Sequence, residues 1–323
     1  MDLTKNKNLS GDVVDAHELT KTFGEEVAVN SLTMKVPRGT IFGFIGPSGC
    51  GKTTTVRLLT GIYKPTSGEV TVLGKHPIEF SKSDQEKIGY LIQNFVLYPE
   101  LTVWENLNFA ASFYGVSLFR HGRLNKLLEF VELKEAKGKL ARALSGGMKR
   151  RLSLAATLVH NPELLFLDEP TTGIDPILRR KFWDYFKGLQ EQGRTLFITT
   201  QYVGEAAYCD LVGVMYEGKL LMVDSPEELR RKAYGGDIVG IKTTEWIRYE
   251  NRKKLEDLPF VQGKIRVIND QEIELVVDEA DTAMPALMEA AKAQRINVEK
   301  MEQISPPFDD VFVRLIEKET VNV

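Results

Sequence analysis

Short apolar runs alternate with amphipathic stretches along most of the chain. Residues 41–46, 163–170 and 195–200 read IFGFIG, ELLFLDEP and TLFITT, and they are rich in branched and aromatic side chains. Runs of this kind are typical of strands buried on both faces of a parallel sheet. The pattern predicts an α/β core from about Val13 to Tyr234.

The strand pattern is absent between residues 94 and 144, where amphipathic helix replaces it. The segments VWENLNFAASFYG and GRLNKLLEFVELKEA carry apolar residues at helical spacing. We expect a helical subdomain, at about residues 94–150, inserted into the α/β core.

A third pattern begins after KAYGGD at residues 232–237. Strand DIVGIKTT, helix EWIRYENRKKLEDL, strands GKIRVIN and EIELVVD, helix DTAMPALMEAAKAQ and strand NVEKMEQ follow, before a last helix near DDVFVRLIEKE. The order βαββαβ predicts a small α+β, ferredoxin-like domain. The predicted division is a flexible tail over 1–11, a first domain over 12–231 and a C-terminal domain over 232–323, with Gly235 and Gly236 as a hinge or linker.

Composition narrows the class of protein. The chain has 323 residues, 43% of them hydrophobic, and a net charge of -3, so nucleic acid is not expected as a main partner. Two cysteines, Cys50 and Cys209, favour a reducing compartment over a disulfide framework. The sequence predicts neither a membrane-spanning helix nor a signal peptide, so we expect a cytosolic chain whose membrane part, where it has one, belongs to another chain.

Residues 46–53, GPSGCGKT, match the phosphate-binding loop pattern G-x-x-x-x-G-K-[ST]. A predicted strand precedes the loop and the predicted helix KTTTVRLLTG follows it, which argues against the alternative of a glycine-rich turn with a chance lysine. Backbone N–H groups in such a loop bind phosphate oxygens, Lys52 reaches the β- and γ-phosphates, and Thr53 binds Mg²⁺. ATP would cover Cys50, so we expect no chemical role for its thiol.

The strand in LLFLDEP ends in two carboxylates. Asp168 is placed to hold Mg²⁺, and Glu169 is placed to accept a proton from an attacking water or to orient it. The alternative, an acidic cap at a strand end, explains one carboxylate but not two in a chain with a phosphate loop.

The stretch LSGGMKRRLSLA at residues 144–155 combines an N-cap, Ser145, with two glycines that expose the amide end of a helix. Here the chain resembles the ABC-type ATPases, whose signature is LSGGQ, with Met148 in place of the glutamine. The resemblance covers residues 13 to about 230. It implies a P-loop nucleotide-binding domain with a helical subdomain, ATP hydrolysis, and ATP and Mg²⁺ as cofactors.

The resemblance also implies roles for residues elsewhere. Gln93 resembles the Q-loop glutamine, Asp175 in GIDP the key D-loop residue, and Phe23 the aromatic that stacks on adenine, although an aromatic there is also an ordinary core residue. The implied nucleotide-binding residues are Phe23, Gly46, Pro47, Ser48, Gly49, Cys50, Gly51, Lys52, Thr53, Thr54, Gln93, Ser145, Gly146, Gly147 and Asp175. The implied Mg²⁺ ligands are Thr53, Gln93 and Asp168.

Gln201, in TTQYVGEA, occupies the position at which the family usually carries a histidine that contacts the γ-phosphate. A carboxamide donates a hydrogen bond but does not become cationic. We therefore take Glu169, Lys52 and Gln201 as the catalytic residues and expect a working but slower ATPase.

The family's two nucleotide-binding domains face each other head to tail, so this chain, with one set of motifs, implies a second ATPase subunit, with a homodimer expected. The segment after Gln93 resembles the site that receives a membrane permease, with Phe95, Leu97, Tyr98, Leu101 and Trp104 forming a groove or, equally, ordinary core. This implies a peripheral protein on the cytoplasmic face of the cell membrane.

The C-terminal domain, which ends in PFDDVFVRLIEK, resembles that of the daunorubicin-resistance ATPases, which partner ABC-2 type permeases and mostly export drugs, antibiotics, lipids or ions. We read it as an accessory or regulatory domain. Alternatives are the ATPase of an importer, a slow-turnover nucleotide-binding regulator, and an ATPase that acts on DNA or ribosomes. The last class carries duplicated motif sets or long coiled coils, which are absent from this sequence.

Two other features have plain interpretations. The basic residues Arg248, Arg252, Lys253 and Lys254 are interleaved with glutamates, which favours a solvated helix face over a lipid or nucleic-acid patch. The four histidines lack partners at metal-ligand spacing.

Overall fold

A computed structural model of the chain describes residues 11–93 and 97–321. The chain divides into two compact units, Met1–Val223 and Asp224–Val323. The predicted tail, apart from Gly11, lies outside the described residues. The functional boundary between residues 231 and 232 stays a prediction, and the compact units divide slightly earlier in the chain.

The first unit contains two sheets and the helices around them. Its strands are β1 (Asp12–Phe23), β2 (Glu26–Pro37), β3 (Ile41–Ile45), β4 (Ser67–Val72), β5 (Ile88–Leu91), β6 (Leu164–Asp168), β7 (Thr195–Thr200), β8 (Leu211–Tyr216) and β9 (Lys219–Asp224). Its α-helices are α1 (Lys52–Leu59), α2 (Lys82–Gln85), α3 (Val103–Phe113), α4 (His121–Phe130), α5 (Gly146–Thr157) and α6 (Pro176–Glu191).

The larger sheet has the strand order β5-β6-β7-β3-β8-β9, and the pairs from β5 to β8 are parallel. Every residue of β3, β6 and β7 is buried, which explains their continuous apolar sequences. Their carboxyl ends therefore lie along one edge, where ligands bind in sheets of this type.

The smaller sheet has the order β2-β1-β4 and is antiparallel. This sheet is not apparent from the hydrophobic pattern, because charged residues on the exposed face of β1 and β2 interrupt their apolar positions. The inward side chains of these strands still build a core with the larger sheet, which includes Val14, Leu32, Val36, Phe44 and Phe197.

Helices α3 and α4 lie within the segment predicted as helical, residues 94–150, and α5 begins inside it but continues to Thr157. Thr102 caps α3 through a reciprocal pair of bonds: its hydroxyl accepts from the Glu105 N–H at 3.1 Å, and the Glu105 carboxylate accepts from the Thr102 N–H at 2.8 Å. Ser145 caps α5 by accepting from the Met148 N–H at 3.3 Å.

The second unit contains the βαββαβ order expected from the sequence. Its elements are α7 (Pro226–Tyr234), β10 (Asp237–Thr243), α8 (Tyr249–Glu256), β11 (Val261–Asn269), β12 (Glu272–Val277), α9 (Ala280–Ala293), β13 (Val298–Ile304) and α10 (Phe308–Val321). The antiparallel order β11-β12-β10-β13 confirms the ferredoxin-like arrangement. Gly235, interpreted above as part of a linker, ends α7 with a φ of 86°.

Within the described ranges, none of the helices combines the length and the apolar character needed to cross a bilayer.

Candidate nucleotide site

Two positions of the loop between β3 and α1 have no room for a side chain, so only glycine fits there. Gly51, the N-cap of α1, has a φ of 109°, and a Cβ on it would lie 2.3 Å from the Ala28 carbonyl oxygen. A Cβ on Gly46 would lie 2.2 Å from the Met215 carbonyl oxygen. The loop therefore packs tightly against its neighbours and presents its outer side at the carboxyl edge of the sheet.

Lys52 turns back onto this loop. Its ammonium group donates to the carbonyl oxygens of Gly46 at 2.7 Å and Pro47 at 2.9 Å, and the residue is only 5% exposed. A buried ammonium needs such acceptors. The same three donors are available for phosphate oxygens, which accept more strongly than carbonyls.

Asp168, at the end of β6, is fully buried and is held by two hydroxyl groups. Thr53 donates to it at 2.9 Å from the start of α1, and Thr199 donates to it from β7. Carboxylate and hydroxyl oxygens are the ligand type that Mg²⁺ prefers in proteins, so this donor set fits the metal. Thr199, which the sequence analysis did not single out, is identifiable afterwards as a polar residue at the end of a buried apolar strand.

Glu169 has a φ of 51°, which is rare for a residue with a side chain. Its N–H donates to the carbonyl and hydroxyl oxygens of Thr199, both at 3.1 Å, and its carboxylate accepts from the Thr172 hydroxyl at 3.2 Å. The surrounding structure thus fixes the direction of this carboxylate.

Arg150 supports the same turn from the signature helix α5. Its guanidinium donates to the carbonyl oxygens of Asp168 and Glu169, and also to those of Ile92 at 2.8 Å and Gln93 at 3.0 Å. Burial lowers the pKa of this arginine, and the nearby charges of Asp168 and Glu169 oppose that shift. Arg150 therefore joins three motifs, a role that the sequence did not indicate.

A cavity of about 450 Å³ lies in front of these groups. Its walls include Phe23, Ser48, Gly49, Gly51, Lys52, Thr53, Thr54, Gln93 and Glu169 from the sequence-based set. Glu26, Ala28, Arg57 and Tyr63 also line it and were not anticipated. Gly46, Pro47 and Cys50 belong to the same loop but do not line the cavity.

The aromatic end of this cavity contains more than Phe23. The Phe23 ring is 43% exposed and meets Tyr63 edge to face at a centroid distance of 5.3 Å. The Lys21 ammonium lies 5.0 Å from the Phe23 ring centre. The exposed ring is available for stacking, so Phe23 is not an ordinary core residue.

Gln201 lies next to the phosphate loop in space. Its side-chain oxygen accepts from the Ser48 hydroxyl at 3.0 Å, and its side chain is exposed. The bond joins the residue after β7 to the loop after β3, which are adjacent strands.

Four predicted residues lie away from the cavity walls: Ser145, Gly146, Gly147 and Asp175. Ser145 and Asp175 are N-caps, and Asp175 accepts from the Ile177 N–H at 3.1 Å and the Leu178 N–H at 3.0 Å. Ser145, Gly146 and Asp175 are exposed.

Both cysteines are free and buried. Burial raises the pKa of the Cys50 thiol, and the Lys52 charge opposes this shift. The shift favours the protonated thiol, and the absence of a chemical role for Cys50 stays a prediction.

A second cavity of about 370 Å³, here called the apolar groove, lies in the helical region. We define it by Leu97, Tyr98, Phe109, Ala110, Phe113 and Tyr114, and Tyr98 and Phe109 meet edge to face at 4.6 Å. Asn106 anchors its rim by donating to the carbonyl oxygens of Tyr98, Leu101 and Thr102.

Two residues that the sequence assigned to this groove, Leu101 and Trp104, do not line it. Trp104 instead faces His121 at 4.9 Å and the Lys137 ammonium at 3.6 Å from the ring centre. Phe95 lies outside the described residues.

Comparison with known proteins identifies both parts of the chain. A family model described as "ABC transporter" matches residues 29–172, and one described as "ATP-binding protein DrrA1-3-like, C-terminal domain" matches residues 225–316.

Two curated relatives differ in how much of their length this chain covers. "Probable multidrug ABC transporter ATP-binding protein YbhF" of Escherichia coli K12 is 40% identical over 222 residues, which is 68% of this chain but only 38% of YbhF. "Linearmycin resistance ATP-binding protein LnrL" of Bacillus subtilis 168 is 31% identical over 312 residues, which is 94% of this chain and 98% of LnrL.

Among solved structures, a dimeric ATP-binding cassette bound to ADP and Pi superposes with a TM-score of 0.61 at 26% identity. The match covers 66% of this chain and 98% of that cassette.

Proposed function

This chain belongs to the ABC transporter family of ATP-binding proteins, and we propose that it is the ATP-hydrolysing subunit that powers export through a membrane permease. The main observation behind this proposal is the 450 Å³ cavity, because residues of the phosphate loop, Gln93 and Glu169 all line it. Asp168 adjoins that space through its bond to Thr53.

In this proposal, ATP binding changes the hydrogen-bond partners of Lys52. Lys52 leaves the carbonyl oxygens of Gly46 and Pro47 and donates to the β- and γ-phosphates, with the loop N–H groups and the start of α1 around them. Phe23 stacks on the adenine, and Tyr63 supports the Phe23 ring from its edge.

Thr53, Asp168 and Gln93 are the residues that would hold Mg²⁺. When bound, the metal would supply positive charge that neutralises the phosphate oxygens during hydrolysis. The buried carboxylate and the Thr53 hydroxyl already lie 2.9 Å apart, so little rearrangement of the protein is needed.

Glu169 is the proposed general base, or the group that orients the attacking water. The Thr199 contacts, the Arg150 contact and the Thr172 bond hold it at the mouth of the cavity. Gln201, freed from Ser48, would donate to the γ-phosphate, but without the positive charge that an imidazolium supplies.

A second ATPase subunit completes the site. Ser145, Gly146, Gly147 and Asp175 lie away from this chain's own cavity. The Ser145 hydroxyl and the N–H groups of Gly146 and Gly147, at the start of α5, are donors suited to phosphate. We propose that these residues contact ATP bound by an opposing copy, so that loss of the γ-phosphate opens the dimer. The similarity to a dimeric cassette supports this arrangement.

The apolar groove is the proposed permease contact. It is concave, aromatic and adjacent in sequence to Gln93, so a helix of the permease that enters it would sense the nucleotide site through the Gln93 backbone and Arg150. The chain would then work as a peripheral subunit at the cytoplasmic face of the membrane.

Export is favoured by the C-terminal domain, which matches the DrrA1-3-like family, and by the similarity to a linearmycin resistance protein over nearly the whole chain. Drugs, antibiotics, lipids and ions are the cargo classes proposed. Import is the alternative for a transporter subunit. A slow-turnover regulator is the alternative supported by Gln201 and Met148.

The test is a tagged pull-down from detergent-solubilised membranes of the native host, with mass identification of the co-purifying chains. We expect one or two polytopic permeases and no extracellular binding protein. A permease accompanied by a binding protein would indicate import instead. Recovery with ribosomes, with nucleic acid or alone would contradict the transporter assignment.

A further inference from the structure

A third cavity, of about 270 Å³, lies away from the nucleotide site. Its walls come from α4, from the connection between α5 and β6, from the end of α6 and from Arg194, just before β7. Because Pro162 and Arg194 precede strands β6 and β7, the cavity lies at the amino edge of the sheet. ATP in the proposed site would lie at the opposite edge.

Three cationic side chains line this cavity, and no carboxylate does. They are Arg123 and Lys126 of α4, and Arg194. Arg38, Arg142 and Arg151 elsewhere in this unit each have a carboxylate oxygen within 4.0 Å, whereas no ion pair to these three cations is found in the part of the chain that the structure describes. The pair with Lys134 lowers the pKa of the Glu129 carboxyl group, and the charge of Lys126 adds a smaller contribution.

The two guanidinium groups have only neutral partners. Arg194 donates to the side-chain oxygens of Asn161 and, at 2.7 Å, Gln192, and Arg123 donates weakly to the Leu158 carbonyl oxygen at 3.4 Å. Burial lowers the pKa of both arginines, and the charge of Arg194 lowers that of Arg123 further. Half-buried cations that repel each other are stabilised by an anion between them.

The rest of the cavity wall is apolar and aromatic. Phe130 and Tyr185 stack at a centroid distance of 3.6 Å, and Leu127, Leu158 and Leu189 lie beside them. Burial raises the pKa of the Tyr185 hydroxyl, which is therefore a neutral donor. The cavity thus offers cationic donors together with an apolar surface.

We propose that this cavity binds a phosphate monoester with a small apolar or aromatic organic part. Three positive charges match a phosphate dianion better than a single carboxylate, and guanidinium groups bind phosphate oxygens in pairs. The leucine and aromatic walls accept the organic part, and the volume is suited to a small ligand rather than to a polymer.

Such a ligand would connect α4 to the end of α6 and the start of β7. Arg123 already contacts the carbonyl of Leu158, the C-cap of α5, and the amino end of α5 carries the signature residues Ser145, Gly146 and Gly147. Binding would therefore restrain the helix that is proposed to meet the opposing nucleotide.

The test measures phenyl phosphate binding by isothermal titration calorimetry. Because the phosphate loop also binds phosphates, the full chain carries Lys52→Ala in every sample, and circular dichroism confirms folding. We expect binding to this background, at least tenfold weaker binding after adding Arg123→Gln and Arg194→Gln, and unchanged binding after adding the control Arg142→Gln. Lys126→Glu, a single change at an exposed residue, should also weaken binding. It serves as the test if the double variant fails to fold.

Absence of binding to the Lys52→Ala protein, or equal binding to the pocket variants, would overturn the proposal. Inorganic phosphate that binds as tightly as phenyl phosphate would overturn the assignment of an organic ester. Phosphatidylcholine vesicles with phosphatidic acid, whose headgroup is also a phosphate monoester, distinguish the sources. Arginine-dependent vesicle binding would assign the lipid form, and phenyl phosphate binding without it would assign a free monoester.

Discussion

The nucleotide cavity and the apolar groove lie in the same compact unit but are built in opposite ways. The cavity depends on individual polar contacts, such as Lys52 on two carbonyl oxygens and Asp168 between two hydroxyl groups. The groove depends on ring and aliphatic surfaces, and its main polar member, Asn106, holds the backbone of its rim.

This difference sets how each region tolerates change. A polar site loses its function when one donor or acceptor is removed, because the partner is left unpaired in a buried place. An apolar groove loses affinity gradually with contact area and is best disrupted by filling it. Five substitutions test that contrast, and Glu169→Gln should have the largest effect.

Glu169→Gln should lower ATP hydrolysis about 100-fold or more, because a carboxamide does not accept the proton of the attacking water. ATP binding should persist, since the phosphate loop is untouched, and light scattering with ATP should show a stable dimer. The matched control is Glu191→Gln at the exposed end of α6. Near-normal turnover in the Glu169 variant would contradict the role proposed for this residue.

Arg150→Gln should lower hydrolysis about tenfold and the free energy of unfolding by roughly 2–4 kcal/mol, because the buried carbonyl oxygens of Asp168 and Glu169 lose their donor. Denaturant unfolding and a phosphate-release assay measure the two effects. Arg151→Gln is the neighbouring control, since its partners lie on Val131 and Glu132. Equal effects of the two changes would remove the special role of Arg150.

Ala110→Trp should fill the apolar groove and reduce recovery of the permease in the pull-down at least tenfold. Ala110 lines the groove together with Tyr98 and Phe113, so an indole at this position would occupy space that a partner side chain would fill, and ring burial contributes most of the affinity of such contacts. Ile78→Trp, at an exposed position outside the groove, is the control. Undiminished recovery would place the permease contact on another surface.

Gln201→His should raise turnover about fivefold, because an imidazolium hydrogen bond to the γ-phosphate is worth roughly 1 kcal/mol more than a neutral one. The gain should be larger at pH 6 than at pH 8, since the ordinary pKa of histidine is about 6.5. A fall in turnover at both pH values would show a site adapted to glutamine.

The smallest effect should come from His160, which stacks on Tyr114 and bonds to the Ile88 carbonyl oxygen. Burial lowers its pKa and Arg123 adds to this, while the Ile88 carbonyl bond and Glu86 oppose the shift. The unfolded chain therefore binds this proton more readily, so stability should fall as the pH drops below about 6.5. Thermal melts at pH 7.5 and 5.5 should show a smaller difference for His160→Gln than for the wild type.

The same contrast explains what the sequence could predict. The strands around the phosphate loop and LLFLDEP were predicted within a residue or two, because their burial on both faces leaves continuous apolar runs. The ferredoxin-like order was also recognisable, since the apolar residues of each strand or helix recur at the spacing typical of that kind of element. Residues near the phosphate loop could be predicted because phosphate and metal binding require particular side chains at particular spacings.

Where shape alone matters, the prediction was only partly right. Leu97 and Tyr98 line the groove, but Trp104, for which groove and core were equally open, turns towards His121 and Lys137, a direction that depends on how α3 and α4 pack. Thr199, Arg150 and Tyr63 were missed because they act through partners far away in sequence. The antiparallel sheet was missed because β1 and β2 expose one charged face.

The turn at Glu169 has a consequence for the stability of this protein. Its positive φ costs about 1 kcal/mol or more relative to glycine, and the neighbouring residues hold it there. Glu169→Gly should therefore raise the free energy of unfolding while it removes the carboxylate that is proposed to act on the attacking water. The same position would then trade hydrolysis for stability.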